Sequence, residues 1–299
     1  MRMDQFDLNL LVAFDALLTE CSVTGAAQRM GLTQSAMSAA LKRLREALGD
    51  DILVQQGKRM LPTPHALMLE PQIASALQTL RGVIASATQF DPTTSDRHFH
   101  IVASDYATAV LVSPLISRLQ AVAPNLRFDV RLPEPTTILA LNQGKLDLLL
   151  TPEGFVSAEH PKELLFTERH VVVGCSSNPL LHTPLTLEGF YAAGHIAVMI
   201  DGRPSFIDSA FSADKARRVE LTAPSFLQAT LMVRNSTRLA LIHERLARMF
   251  QAPLSLAIAE CPLPLPTMRE MMQYHAARQD DPGLVWLRNE LRAEAQRGG

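Results

Sequence analysis

The sequence predicts an α/β chain headed by a small all-α segment. Three observations carry that expectation. Apolar residues recur at threes and fours from Leu8 to Leu48, the spacing of packed helices. A short hairpin pattern and one long helical seam follow, running to Ala87. From Arg97 onward strands and helices alternate, an order that builds a mostly parallel sheet with helices on its faces. The 299 residues, 47% hydrophobic and 19% charged, are enough for two or three domains with sizeable cores and exclude global disorder.

Asp7 is placed to cap a first helix whose stripe is Leu8, Leu11, Phe14, Leu17 and Leu18. Ser22–Leu48 then reads as two short helices around a tight turn. Gly31 ends the first, because glycine takes the left-handed conformation without steric cost. Thr33 caps the second, with Leu32 and Met37 spaced as a hydrophobic staple. Met37, Leu41, Leu44 and Leu48 form its apolar stripe, and Ser35, Ser38, Lys42 and Glu46 fall opposite. A short helix locked onto its neighbour with a polar, basic face outward fits a DNA major groove, so the stretch reads as a helix-turn-helix. The alternative is an ordinary αα-hairpin. Net charge is -2 overall, yet between Arg29 and Arg59 six basic residues stand against three acidic ones. Gln34, Ser35 and Ser38 are candidates for base edges; Thr33, Lys42 and Arg43 are candidates for phosphate. Arg45 falls between the faces and reads as a solvated side chain.

Gly49-Asp50-Asp51 ends the helix. Ile52–Val54 reads as a strand, Gln55–Lys58 as a turn and Arg59–Leu61 as the return strand, a wing that offers Lys58 and Arg59 to the DNA backbone. Thr63-Pro64 opens a helix whose seam is Leu69, Ile73, Leu77, Leu80, Ile84 and Ala87, suited to a second copy, with Pro71 expected to kink it. Gln89–Asp96 reads as a linker.

The α/β part is read as strand His98–Ala103, helix Ala107–Ala121, strand Leu126–Leu132, helix Thr136–Gln143 closed by Gly144, and strand Asp147–Leu150. A second set follows: strand His170–Gly174, helix Leu187–Tyr191, strand Ile196–Ile200, helix Ser205–Phe211 and strand Val219–Leu221. The remainder is helix Ser225–Asn235, strand Leu239–Ile242, helix Glu244–Gln251, strand Met268–His275 and helix Gly283–Glu294. In open α/β sheets ligands bind beyond the carboxyl ends of strands and at helix starts. That rule selects Ser104, Asp105, Thr136, Thr137 and Thr151 in the first set, and Asp201, Arg203 and Ser225 in the second. His170 is expected to face the cleft between the two sets.

The three cysteines are widely spaced and odd in number, so a disulfide framework is not expected and a reducing compartment fits. The N-terminal apolar run is broken by Asn9 and Asp15 and has no basic leader, and no apolar stretch approaches the roughly 20 residues of a membrane span. A cytoplasmic protein with no membrane contact is expected. His98 and His100 share a strand face without a third ligand at a recognisable spacing, so no metal is assigned, and no cofactor fingerprint occurs. Nor is there a nucleophile elbow, and Glu153 and Glu159 read as solvated carboxylates, so the chain is not read as an enzyme.

The chain resembles the LysR-type transcriptional regulators. The resemblance is carried by Ala26-Ala27, Leu32–Ser38, Leu41–Leu44 and Leu48–Asp50, followed by Ile52–Val54 and Thr63-Pro64, and it extends over essentially the whole chain. Asp7–Leu11 and the Pro71-bearing linker look most like the branch of nodulation and salicylate-responsive catabolic regulators. Ser35 stands where proline is usual, and Leu53-Val54-Gln55 replaces the common Phe-x-Arg, which puts more weight on Lys58 and Arg59. The resemblance implies a winged helix-turn-helix over 1–63, a linker and dimerisation helix over 64–96, and over 97–299 an effector domain like a periplasmic binding protein. Lobe I would comprise 97–167 and 268–299 and lobe II 168–267, with crossovers at Phe166–Arg169 and Pro262–Met268. The function implied is sequence-specific binding of double-stranded promoter DNA, modulated by a small, aromatic molecule included, effector between the lobes. The expected partners are a second copy through the linker helix, a homotetramer on DNA, and RNA polymerase. Two alternatives stand: an effector-independent regulator or silencer, and a solute-binding or enzymatic α/β protein whose N-terminal domain mediates assembly.

Overall fold

The computed structural model describes residues 6–57, 59–86, 90–200, 202–211 and 217–298. The chain forms two compact units, the first within residues 1–88 (with Asn142–Gly144) and the second in the remainder.

The first unit begins with α1 (Asn9–Glu20), α2 (Val23–Arg29) and α3 (Gln34–Leu48). Asp7 does not cap α1 from the N-cap position, which Leu8 holds; its carboxylate instead accepts the N–H and side-chain amide of Asn9. Ser22 caps α2 and Thr33 caps α3, each accepting a backbone N–H three residues on. Gly31 sits between them at φ 65°. Phe14, Leu17, Ala26, Met37 and Leu44 make one core of these three helices. The staple does not form as read: Met37 is buried, whereas Leu32 is 44% exposed.

Strands β1 (Leu53–Gln56) and β2 (Arg59–Pro62) pair antiparallel, with Gln56 opposite Arg59. The strands therefore run further toward the tip than the expected four-residue turn allowed. The wing is pinned at its base. Arg45 donates to the carbonyls of Asp51 (2.8 Å) and Leu53 (3.0 Å), so it is a structural clamp and not a free surface side chain. Asp50 accepts the Ile52 N–H (2.7 Å) and the Thr63 hydroxyl (2.6 Å), holding buried, β-branched Ile52 at φ 61°. Thr63 in turn caps α4 (Pro64–Ser86), which continues through Pro71. The expected seam on α4 is divided: Ile73 and Leu77 join the core of the first unit and Leu69 packs against it, while Leu80 stands exposed, as do Leu67, Met68 and Val83 outside the seam. The Ile84 side chain and Ala87 lie outside the described residues.

The second unit contains two five-stranded sheets, the second with a short extra strand. In chain order its elements start with β3 (His98–Val102), α5 (Asp105–Ala107), a π-helical stretch Thr108–Val112 and α6 (Ser113–Leu119). They continue with β4 (Arg127–Arg131), α7 (Thr137–Asn142), β5 (Leu148–Pro152), β6 (Lys162–Glu168) and β7 (His170–Cys175). Next come α8 (Leu187–Ala192), β8 (Gly194–Ile200), β9 (Arg203–Pro204), β10 (Arg218–Ala223), α9 (Phe226–Met232) and β11 (Leu239–His243). The chain closes with α10 (Glu244–Gln251), β12 (Leu256–Ala259), β13 (Met268–Gln273) and α11 (Pro282–Arg297). The helix expected at Ser205–Phe211 is only a short 3-10 turn at Asp208–Ala210.

The first sheet has the order β4-β3-β5-β13-β6 and the second β10-β8-β11-β7-β12, with β9 on β8. In each five-stranded sheet four strands run the same way and one is reversed, β13 in the first and β7 in the second, so the sheets are mostly parallel in direction as expected. The reversed strand in each lobe is the one that enters it directly from a crossover. Side chains alternate into two layers: Ile101, Leu148, Leu150, Val171, Val173 and Ile242 face one core, and Val102 with Leu149, or Val172 with Leu241, face the other. Only Arg169 separates β6 from β7; the return crossover runs through 260–267. Arg169 joins the two, donating to Glu244 (2.9 Å) at the start of α10 and to Glu260 (3.0 Å) in the return crossover.

Candidate functional site

Two surfaces gather the candidate residues, one in each unit. On the first, the stripe that buries Met37, Leu41 and Leu44 fixes the rotation of α3, so Gln34, Ser35, Ser38 and Lys42 all stand exposed. Thr33 spends its hydroxyl on the cap of α3 and shares a 3.0 Å hydrogen bond with Ser35. Arg43 is exposed but engaged, 3.0 Å from the Asp7 carboxylate. Arg59 is exposed beside the wing tip, and Lys58 lies outside the described residues.

In the second unit, a cavity of about 240 Å³ opens between the lobes. Its lobe I wall includes Ser104, Tyr106, Glu134, Thr137, Ile138, Leu149, Thr151, Phe155, Met268 and Glu270. Lobe II supplies Ile200, Arg203, Ser205, Phe206, Phe226 and His243. The lining is mainly apolar with a few polar side chains, the pattern of a small-molecule site.

Of the cleft candidates from the sequence, Ser104, Thr137, Thr151 and Arg203 line this cavity. Ser104 caps α5 through the Ala107 N–H, and Thr137 accepts the Glu134 N–H at 2.8 Å. Asp105, Thr136 and Ser225 do not line it. The Asp105 carboxylate accepts the Leu227 N–H (2.7 Å) at the start of α9, a tie from lobe I to lobe II. Thr136 is exposed, its carbonyl accepting the Ala140 N–H, and Ser225 caps α9 through Gln228. Asp201 lies outside the described residues. His170, expected at the cleft, sits one ring behind it: it borders a separate recess with Arg169, Glu260 and Cys261, and its ring lies 4.8 Å from that of His243. Burial pushes His170 down to about 4, so it is neutral near pH 7.

Behind the cavity floor lies a buried polar group of residues. Tyr106 stacks flat on His243 (3.6 Å between ring centroids) and donates its hydroxyl to Glu168. Arg245 approaches the same carboxylate at 3.3 Å. Burial raises Tyr106, with Glu168 adding to the shift, and burial holds His243 well below the usual imidazole range. Glu270 is 1% exposed and is pushed up to about 8, first by burial and then by Glu168. Tyr106, Phe206, Phe226, His243 and Glu270 were not selected by the strand-end rule. The alternation Met268-x-Glu270-x-Met272, with an acid among inward apolar residues, was the available signal for the last.

No group of three or more potential metal ligands occurs among the described residues. No described helix is long and apolar enough to cross a membrane.

A winged helix-turn-helix followed by two hinged α/β lobes around a cavity defines a DNA-binding regulator with an effector domain. Residues 8–67 match the helix-turn-helix profile of the lysR family of bacterial regulators, and residues 93–296 match the LysR substrate binding domain. The chain belongs to the LysR family. It is 39% identical to nodulation protein D 1 of Mesorhizobium japonicum over 300 residues, covering 99% of this chain and 96% of that protein. Among solved structures, a probable transcriptional regulator from Pseudomonas aeruginosa is 31% identical with a TM-score of 0.66, covering 97% of this chain and 98% of its own. Full-length OxyR from the same organism shares the fold at a TM-score of 0.75 and 18% identity, over 98% of this chain and 95% of its own. The protein is thus a transcriptional regulator, not an enzyme.

Proposed function

We propose that this regulator reads promoter DNA with the Gln34, Ser35, Ser38 and Lys42 face of α3. Thr33 and Arg43 would flank that face, and the wing residues Lys58 and Arg59 would supply phosphate contacts. A small, largely apolar effector, aromatic molecules included, would sit in the interlobe cavity against Ser104, Thr137, Thr151 and Arg203. The observation that carries this reading is the split of α3 into a fully packed apolar stripe and an entirely exposed polar face. Two copies would pair along the exposed apolar side chains of α4, among them Met68, Leu80 and Val83, and two such dimers would form a tetramer on DNA in the cytoplasm. Effector binding would bias the subunit arrangement by favouring one lobe geometry over another.

The test is a mobility shift with the DNA flanking its own gene, across a salt series. Specific, competitor-resistant binding is expected, and Lys42→Ala should flatten the dependence of log K on log salt by about one unit, one phosphate contact. Binding without sequence preference refutes the regulator reading, and an unchanged slope removes Lys42 from the phosphate contacts. For the cavity, a ligand at about 100 times its Kd adds about 2.7 kcal/mol to stability, visible as a rise in Tm.

A further inference from the structure

Four elements of the first unit meet at one point: the end of α3, the start of β1, the end of β2 and the start of α4. Leu48-Gly49-Asp50 and Thr63-Pro64 lie there and are part of the family resemblance, yet none is among the residues proposed to touch DNA. Their role lies in their hydrogen bonds. A single Asp50 oxygen, Oδ1, accepts both the Ile52 N–H (2.7 Å) and the Thr63 hydroxyl (2.6 Å). The Thr63 hydroxyl in turn accepts the Ala66 N–H (3.0 Å) in the first turn of α4. The Ile52 carbonyl accepts the Thr63 N–H, also at 3.0 Å.

Burial, the largest single effect, raises the Asp50 pKa, but the hydrogen bonds from Thr63 and Ile52 together hold it below the usual carboxylate value. An ionised carboxylate only accepts, so the one Thr63 hydroxyl proton points to Asp50 and a lone pair is left for α4. Ile52 is fully buried and β-branched, and it keeps a φ of 61° because both of its backbone groups are bound. The core also holds α4, through Ala66, Ile73 and Leu77, but apolar packing is non-directional. Hydrogen bonds have a narrow range of length and angle, and these set a direction. The 15 residues of α3 run away from this point for about 22 Å, and Gln34 and Ser35 stand at the far end. A swing of about 10° at the joint would carry that end by about 4 Å, slightly more than the base-pair step of about 3.4 Å.

We propose that Asp50 and Thr63 are positioning residues whose hydrogen bond fixes the angle between α3 and α4, and with it the separation at which two copies read their half-sites. They act through α3 and touch no base themselves. This inference rests on the proposed reading of DNA by α3 and the proposed pairing of copies through α4.

The test is a mobility shift of the full-length protein on the operator footprinted in the DNA flanking its own gene. The same operator is also used with one base pair inserted at, or removed from, its centre. Wild type should prefer the native spacing by at least about tenfold, the cost of roughly one misread base pair. Asp50→Ala leaves the Ala66 cap of α4 in place and should shrink that preference below about threefold. Its salt slope should not change, because no phosphate contact is lost. Thr63→Val removes the same bond from its other end and should act alike, whereas Thr63→Ser keeps the hydroxyl and should keep the wild-type preference. An unchanged preference in Asp50→Ala, a loss confined to Thr63→Val, or equal weakening on all three operators overturns the inference. Circular dichroism checks that each variant folds. If neither Asp50→Ala nor Thr63→Val does, Asp50→Asn is read instead, since its neutral oxygen makes the weaker bonds, and a wild-type preference there overturns the inference. Wild type without a spacing preference refutes the paired reading itself; a preference that Asp50→Ala shares refutes the joint alone.

Discussion

Replacing Asp281 by asparagine isolates one buried charge. Its carboxylate accepts from Arg97 (2.5 and 2.7 Å), from Arg278 (3.0 Å) and from the Leu284 N–H, which makes it the cap of α11. Asp147 meets the same two guanidiniums at 3.6 and 2.6 Å, so two anions balance two cations. Asp281 is 3% exposed, and although burial, the largest single effect, raises its pKa, the hydrogen bonds and charge of Arg97, the charge of Arg278 and the Leu284 N–H together lower it from 3.8 to about 2. A fall of that size is linked to about 2.4 kcal/mol of stability at neutral pH. Because the folded value is the depressed one, that stability is complete above the unfolded pKa and is lost as pH falls toward about 2. Asparagine is also a good N-cap, so Asp281→Asn removes charge and leaves the cap. The expected loss near pH 7 is about 2 to 4 kcal/mol, the upper figure reflecting the cation left unbalanced. Urea unfolding of the full chain followed by Trp286 fluorescence reads this region directly, since Trp286 lies on α11, 5.3 Å from Phe90. The gap between variant and wild type should narrow from about pH 5 to about pH 2 as the wild-type carboxyl protonates. A gap below about 0.5 kcal/mol at neutral pH, or one that does not narrow in acid, refutes the reasoning.

Two further outcomes follow, one from the same packing and one from the wing. Gly283→Ala should destabilise by about 1 to 2 kcal/mol despite alanine's better helix propensity, because its Cβ would lie 2.4 Å from Arg97 Nη1 and 2.9 Å from Phe90 Cδ2; a rise in the urea midpoint would show that Arg97 can move freely. Arg45→Ala should weaken DNA binding while leaving the salt slope unchanged, because its hydrogen bonds hold the base of the wing. A slope lowered by about one unit would instead make Arg45 a phosphate contact.

The legible parts of this molecule are those whose determinants are local. Gly31 at positive φ, Thr33 on the Ala36 N–H and the Met37-Leu41-Leu44 stripe lie within a few residues of one another, and the helix-turn-helix follows from them. Arg45 was misjudged because its partners, the carbonyls of Asp51 and Leu53, depend on how the chain turns after Gly49. Strands β6 and β12 escaped notice for a related reason. β6 pairs with β13, about a hundred residues away, and β12 with β7, about eighty residues away, so the pairing that makes each a strand is not local. The cavity was half legible. A rule about strand ends finds Ser104 and Thr151, but it cannot find Glu270, which faces inward from within a strand that only the return crossover brings there.

That return crossover also sets an order of events during synthesis. β13 lies between β5 and β6 in the first sheet, and among the described strands β6 pairs with β13 only. Lobe II, from β7 to β12, is one uninterrupted segment and has all its strands before β13 leaves the ribosome. Lobe I does not: its edge strand stays unpaired until nearly the whole chain has been made. The later-coded half can therefore close first, against the usual N-terminal-first sequence, and a nascent chain stopped short of Met268 would expose an open strand edge to its neighbours.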